Sequence, residues 1–127
     1  MVTLDQESRI RAALGLDAGP LPEVGKKWFD RYFEYLAPRL LLPFDAEYAD
    51  DSSGYQQLIL PVKVLALLHP DQCDLQEDDG LLCVALRGKH EIEIPLIDVE
   101  LPANSPNSQL IEDYWYWFWN WRFDPKI

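Results

Sequence analysis

Apolar residues recur at helical spacing in two segments near the start of the chain. Residues 5–14 form the first segment, with Ile10 and Leu14 on one side of a predicted short helix. Residues 26–38 form the second, where aromatic side chains supply the apolar stripe. Pro and Gly are concentrated in residues 17–25, which predicts a loop or linker between the two helices.

The middle of the chain follows the two-residue period of β-strands. Apolar and polar residues alternate over 44–49, which predicts a half-buried strand. An apolar run over 58–68 predicts a longer strand, with Pro61 at a sheet edge or a bulge. Residues 81–86 and 91–96 predict a hairpin joined by a short turn that contains glycine.

The C-terminal segment combines a helix-start signal with an ambiguous run of tryptophans. Ser105 is a plausible N-cap and Pro106 a plausible first helical residue. Leu110 and Tyr114 belong to an apolar set with helical spacing, whereas the alternate tryptophans of 115–121 would equally suit a strand. The cap favours a helix, in which we expect these tryptophans to cover a small core.

Helices at both ends with strands between them predict an α+β fold. We expect a small, curved, barrel-like antiparallel sheet of four to five strands, with helices at the N-terminal and C-terminal ends. The length of 127 residues and the 48% hydrophobic content suit one folded domain over 1–127. Within it, residues 1–25 would form the N-terminal helix and linker, and 26–127 the α+β core.

The charge balance narrows the classes of partner. The chain has 22 acidic and 11 basic residues, which gives a formal net charge of −11 at pH 7. This balance argues against nucleic acid and anionic membranes, which are bound by basic surfaces. It favours cations or a basic protein as partner. With no signal-peptide pattern and no apolar run long enough to span a membrane, we expect a cytoplasmic protein.

The acidic residues are concentrated in two predicted loops. Residues 40–86 contain nine acids and one base. A divalent cation would relieve the repulsion between crowded carboxylates, and Ca²⁺ suits irregular oxygen sites better than Mg²⁺ does. The spacing does not fit an EF-hand. The predicted metal ligands are Asp71, Asp74, Glu77, Asp78 and Asp79 in one loop, with Asp50 and Asp51 in the other if the two loops lie together.

Other chemistry has weaker support in the sequence. His69, Cys73, Cys83 and His90 could in principle bind zinc, but no Cys-x-x-Cys pair is present. Cys83 lies in an apolar strand, where a thiol usually acts as a small hydrophobe. The sequence has neither a nucleophile elbow nor a glycine-rich phosphate loop, so we expect no enzyme activity.

An ordered set of motifs resembles a known family. The set consists of Trp-Phe-x-x-Tyr-Phe-x-Tyr-Leu from Trp28, Leu-Pro-Phe-x-Ala from Leu42, Pro-Asp-x-Cys-Asp from Pro70, Ile-Pro-Leu from Ile94 and Ile-x-Asp-Tyr-x-Tyr-Trp from Ile111. It resembles the small acidic calcium-binding proteins typified by cyanobacterial CcbP. The resemblance covers about three quarters of the chain. It implies calcium binding, and it does not place the ligands.

Two functions remain open at this point. The first is a Ca²⁺ buffer or sensor with a carboxylate site of weak affinity, ~10⁻⁵ to 10⁻³ M. The second is an acidic protein-interaction module, such as an immunity protein or an inhibitor, that neutralises a basic partner through the same carboxylates.

Overall fold

The computed structural model describes residues 5–50, 58–72 and 79–122. Within these residues there are three α-helices and five β-strands, which confirms the predicted α+β class. The helices are α1 (Gln6–Leu14), α2 (Lys26–Leu36) and α3 (Ser108–Asn120). The strands are β1 (Phe44–Asp50), β2 (Leu58–Leu67), β3 (Leu82–Arg87), β4 (His90–Pro95) and β5 (Val99–Glu100), with 3₁₀ turns at Pro70–Gln72 and Leu96–Asp98.

The strands form one antiparallel sheet in the order β4-β3-β2-β1-β5. In the described part of the chain, the two outer strands, β4 and β5, do not pair with each other, so the sheet is not closed into a barrel. The short strand β5 had no separate signal in the sequence. It forms because Val99 and Glu100 pair with Tyr48 and Glu47 of β1.

Pro61 lies inside the sheet but has a strand on one side only. It pairs with Glu47 of β1, whereas the described pairing of β2 with β3 begins at Lys63. The missing N–H of proline therefore falls where no β3 residue faces it, which is the local edge that the sequence predicted. The irregularity in β2 lies between Val64 and Ala66, so the bulge is not at Pro61.

Helix α3 begins later than the capping signal predicted. Residues 103–107 form turns, and the N-cap is Asn107, not Ser105. The buried Asn107 side chain instead bonds the backbone of Leu41: its Oδ1 accepts from the Leu41 N–H at 2.8 Å, and its Nδ2 donates to the Leu41 carbonyl at 3.1 Å. The side chain of the residue before the helix is thus bound to a segment that is distant in the sequence.

Trp115, Trp117 and Trp119 lie on α3, as expected, and Trp121 is its C-cap, but they do not all cover the core. Trp117 is fully buried, whereas Trp115 and Trp119 each remain 48% exposed. Alternate residues point to different sides of a helix, so the two-residue spacing separates these side chains. The expectation that all of them cover the core is therefore wrong.

The core lies between the sheet and the helices. Trp117, Tyr32 and Phe29 form part of a cluster of aromatic rings between α2 and α3, with ring centres 5.4–5.7 Å apart around Trp117. The predicted linker packs against the same helix, because Trp117 Nε1 donates to the carbonyl of Pro22 at 3.0 Å. None of the described helices is long and apolar enough to cross a membrane.

Candidate calcium site

The 71–79 loop begins in a tightly bonded turn after β2. The backbone N–H of His69 donates to Gln72 Oε1 at 3.0 Å, and the Gln72 N–H donates to the His69 carbonyl at 2.8 Å. The ring of His69 rests against Phe33 of α2, with ring centres 4.7 Å apart. These contacts fix the position of Asp71, the first carboxylate of the loop.

The loop returns to the sheet at Gly80, against α3. Gly80 has a φ of +67°, and a Cβ there would lie 2.5 Å from Tyr114 Oη and 2.8 Å from a ring atom of Phe118. The next backbone N–H, that of Leu81, donates to Tyr114 Oη at 2.8 Å. Only glycine combines this conformation with so close an approach.

The two ends of the loop are held next to each other. The backbone N–H of Leu68 donates to the carbonyl of Leu82 at 2.9 Å, so the intervening segment leaves and re-enters the sheet at neighbouring strands. Asp71 and Asp79 are both exposed and lie near this closure. The predicted ligands Asp74, Glu77 and Asp78 lie outside the described residues, as does Cys73.

A lysine from α2 already contacts the first carboxylate. Lys26 Nζ lies 3.4 Å from Asp71 Oδ1 and 3.6 Å from Asp30 Oδ2. The hydrogen bond to Asp71, followed by the charge of Asp30, raises the pKa of Lys26. The ammonium group is therefore the cation that lies between these two carboxylates.

The His69 ring acts as an acceptor beside Asp71. The Asp71 N–H donates to His69 Nδ1 at 3.0 Å, and an Nδ1 that accepts a hydrogen bond carries no proton. The 3.7 Å approach of Asp71 Oδ2 to this nitrogen is therefore not an ion pair in this arrangement. Lys26 is the cation that neutralises Asp71.

The sequence reasoning missed Asp30. Its Oδ1 is the buried side-chain oxygen that lacks a hydrogen-bond partner in the described part of the chain. The i, i+4 spacing from Lys26 signals their helical ion pair, but the meeting with Asp71 depends on how α2 packs. Asp30 shares its contact with Lys26 with Asp71, and its unpartnered carboxylate oxygen is a hard oxygen donor of the kind that Ca²⁺ prefers.

The second acidic segment lies at the other end of β2. Asp50 ends β1 and pairs with Leu58, the first residue of β2, whereas the 71–79 loop follows the last residue of β2, Leu67. Nine residue steps at roughly 3.3 Å each separate these ends by about 30 Å. Asp51 lies outside the described residues. The strand places the two acidic segments apart, and this arrangement does not favour one shared site.

The described residues do not assemble a metal cluster by themselves. In 5–50, 58–72 and 79–122, no group of three or more His, Cys, Asp and Glu side chains is placed to hold an ion. The thiol considered for zinc is buried in β3, where Cys83 Sγ lies 3.5 Å from the carbonyl of Ile94, and burial raises its pKa to about 12. A neutral, enclosed thiol is a poor zinc ligand.

Comparisons with solved structures support the fold. The crystal structure of Anabaena CcbP is 20% identical, with a TM-score of 0.67, and the match covers 96% of this chain and 98% of that one. A calcium-binding protein in its calcium-binding form is also 20% identical, with a TM-score of 0.70 over 94% and 93% of the two chains. A search of curated protein sequences found no match.

The solved structures support the α+β fold, and a family model defines the class of protein. The model of the Calci_bind_CcbP family, described as calcium binding, matches residues 9–118. The chain belongs to this family of calcium-binding proteins, which confirms the resemblance drawn from the sequence motifs. Calcium is its ligand, and family membership favours calcium binding over the protein-interaction alternative.

Proposed function

We propose that the 71–79 loop is the principal calcium site and that the protein acts as a Ca²⁺ buffer or sensor. The loop would supply Asp71, Asp74, Glu77, Asp78 and Asp79 as ligands, without an EF-hand pattern. The observation that carries the proposal is the contact of Asp71 with Lys26, because a carboxylate at the start of the loop already binds a cation.

Several contacts around this loop support the proposal in different ways. The turn from His69 to Gln72 and the close approach at Gly80 hold the loop ends next to each other, which lowers the entropy cost of gathering its carboxylates. Asp30 could contribute its unpartnered oxygen at the edge of the site. Calcium supplies the positive charge that a crowded set of carboxylates otherwise lacks.

Lys26 is expected to compete with calcium. Calcium binding at Asp71 would displace the ammonium group, so part of the Coulomb energy gained from the ion is offset by the loss of this contact. With Lys26 as an internal competitor at Asp71, we expect an affinity of ~10⁻⁵ to 10⁻³ M. A cytoplasmic location remains our prediction, in line with the buried, unpaired thiol of Cys83.

The first test is thermal unfolding followed by tryptophan fluorescence, with Ca²⁺ or Mg²⁺ at matched ionic strength after chelator treatment. A ligand that binds only the folded state adds about 2.7 kcal/mol of stability at a hundredfold excess over its Kd. We expect a much larger gain with Ca²⁺ than with Mg²⁺. Equal, small gains would indicate general charge screening and would contradict a calcium-selective site.

Site variants locate the ion. Replacing Asp74, Asp78 and Asp79 by Asn should abolish the calcium-dependent gain while leaving the fold intact. The matched control replaces three exposed acids elsewhere, Asp45→Asn, Glu91→Gln and Glu93→Gln, which changes the net charge equally. Wild-type calcium binding by the first variant would refute this site.

Lys26→Gln tests the competition from the opposite direction. Removing the ammonium group should strengthen calcium binding severalfold, because Asp71 then has no cation to release. Isothermal titration with CaCl₂ measures the change, and Lys89→Gln, an exposed lysine in the β3–β4 turn, is the control. Equal effects of both substitutions would show that only the overall charge matters.

A further inference from the structure

A groove runs between β5 and the first half of α3. Its volume is about 400 Å³. The floor is apolar and includes Val99, Leu101 and Ile111, of which Val99 and Ile111 are each only 5% exposed. Trp115 lines the same groove and keeps 48% of its surface exposed. This combination offers a partner a large aromatic surface beside a preformed hollow.

Two carboxylates stand at this groove. Glu100 of β5 and Glu112 of α3 both line it and both are exposed. The described lining contains no Lys, Arg or His, and within the described residues neither glutamate forms an ion pair, although Glu112 lies in the electrostatic reach of Arg9, whose ion-pair partner is Asp113. Beside an apolar floor, which excludes water, such carboxylates attract a positive charge more strongly than they would on a flat surface.

The net charge of the protein favours one kind of occupant of the groove over another. A second copy of this chain would bring another net charge of −11 against the groove. Repulsion between like charges opposes that contact, whereas a basic segment is attracted both by the local glutamates and by the overall field. The exposed tryptophan requires an apolar side chain in the same segment, since aromatic residues contribute binding energy when they are covered.

We infer that the groove between β5 and α3 is a docking site for a basic peptide segment of a partner protein, one that carries a bulky apolar residue between its positive charges. The apolar residue packs on Trp115 over the floor of the groove. The flanking lysines or arginines face Glu100 and Glu112. The inference uses no ligand of the proposed calcium site, so it stands or falls independently of that assignment.

The test uses a phage-displayed library of random nine-residue peptides selected against the full-length protein. We expect the selected peptides to carry at least two Lys or Arg residues around a Leu, Ile, Phe or Trp. One such peptide, made synthetically, is then titrated while tryptophan fluorescence and anisotropy of a peptide label are followed. No enrichment, or enrichment of peptides without basic residues, would overturn the inference.

Matched variants locate the bound peptide. Glu100→Gln with Glu112→Gln should weaken binding at least about tenfold, and so should Trp115→Ala. The controls are Glu91→Gln with Glu93→Gln on β4, and Ile59→Ala, which removes a similarly exposed apolar side chain of β2 outside the groove lining. The controls should change the Kd by less than about twofold. Equal losses in variants and controls would show non-specific attraction and refute the site.

Calcium titration of the same variants separates this inference from the proposed function. The groove variants should keep wild-type calcium affinity, because none of the altered residues lies in the 71–79 loop. Loss of peptide binding with intact calcium binding supports the groove. Intact peptide binding in these groove variants refutes it, whatever their calcium affinity.

Discussion

At Gly80 a single missing side chain determines how the 71–79 loop re-enters the sheet. Its φ of +67° lies in the left-handed region, and its Cα faces Tyr114 and Phe118 with no space for a Cβ. Gly88, in the β3–β4 turn, has a similar φ of +62°, but apart from its chain neighbours no described residue has a heavy atom within 4 Å of the position that a Cβ would take. A substitution at Gly88 therefore meets only the unfavourable backbone conformation, whereas one at Gly80 also meets a steric clash.

We predict that Gly80→Ala lowers the free energy of unfolding by about 2–4 kcal/mol, since backbone strain and overpacking add at this position. Gly88→Ala, which carries the strain alone, should cost about 1 kcal/mol or less, because the substitution also reduces the entropy of the unfolded chain. Urea unfolding at fixed pH measures both variants. Equal decreases in the free energy of unfolding of the two variants would mean that the close approach of Gly80 to Tyr114 does not affect stability.

Cys83 illustrates how burial alone changes the chemistry of a residue. It is completely buried, and burial raises the pKa of its thiol from the ordinary value near 9.0 to about 12. The folded state therefore keeps the proton at pH values at which the unfolded chain has lost it. The contribution of this residue to stability is complete below pH 9 and decreases as the pH rises towards 12.

We predict a steeper loss of stability above pH 9 when Cys83 is present than in Cys83→Ala, by up to about 1.4 kcal/mol per pH unit. Both proteins carry Cys73→Ser so that one thiol is compared with none. Urea unfolding between pH 7 and 11 gives the two slopes. Tyr32 and Tyr114, whose pKa values burial also raises, are common to both proteins. Identical slopes would contradict the prediction.

At the scale of elements, α1 is docked through a buried carboxylate. Asp113 of α3 is 5% exposed and accepts from Arg9 Nε at 2.8 Å, Arg9 Nη2 at 3.1 Å and Gln6 Nε2 at 3.0 Å. This network ties the first helix to the last one across more than a hundred residues. The N-terminal helix is thereby part of the core cluster.

We predict that Arg9→Met destabilises the protein by about 2–4 kcal/mol, because it leaves the Asp113 carboxylate buried without its charged partner. Adding Asp113→Leu to Arg9→Met should recover part of the loss, since no unpaired charge then remains. Urea unfolding gives both values, and hydrogen exchange of the α1 amides shows whether the helix detaches. The control Arg87→Met, at the exposed end of β3, should change stability by less than about 0.5 kcal/mol. An additive loss in the double variant would contradict this account.

At the scale of the whole molecule, strand order decides how the acidic segments are distributed. The described ends of the two segments lie at opposite ends of β2, because Asp50 pairs with its first residue, Leu58, and Asp71 follows its last residue, Leu67. The proximity of the two segments along the chain offers no hint of this separation. Only the antiparallel pairing of β2 with both neighbours determines it.

We predict that the two segments act independently. The double variant Asp50→Asn with Asp51→Asn should leave calcium affinity at the 71–79 loop unchanged within about twofold. Its change in the free energy of unfolding and that of the Asp74, Asp78 and Asp79 variant should be additive within about 0.5 kcal/mol. Titration calorimetry and urea unfolding of the two variants and their combination test this. A coupling energy above about 1 kcal/mol would place both segments in one site.

The sequence by itself determined the elements, the class of fold and the family. Helical and strand periods depend on neighbouring residues, so α1, α2 and the four longer strands could be predicted within a few residues of their bounds. The ordered motifs identified the family, and the crowded carboxylates between residues 71 and 79 pointed to a cation. These features depend on residues close together in the chain, so the sequence alone is enough to predict them.

The tertiary structure decided what depends on contacts between distant residues. The contact of Leu41 with Asn107 makes α3 begin later than the sequence predicted. Pairing with β1 creates the short strand β5. Helix geometry leaves Trp115 exposed beside a groove. The packing of α2 brings Lys26 to Asp71, and β2 holds the two acidic segments apart. A sequence pattern records the preference of each residue, but these arrangements arise from the packing of whole elements, whose energies are shared among residues far apart in the chain.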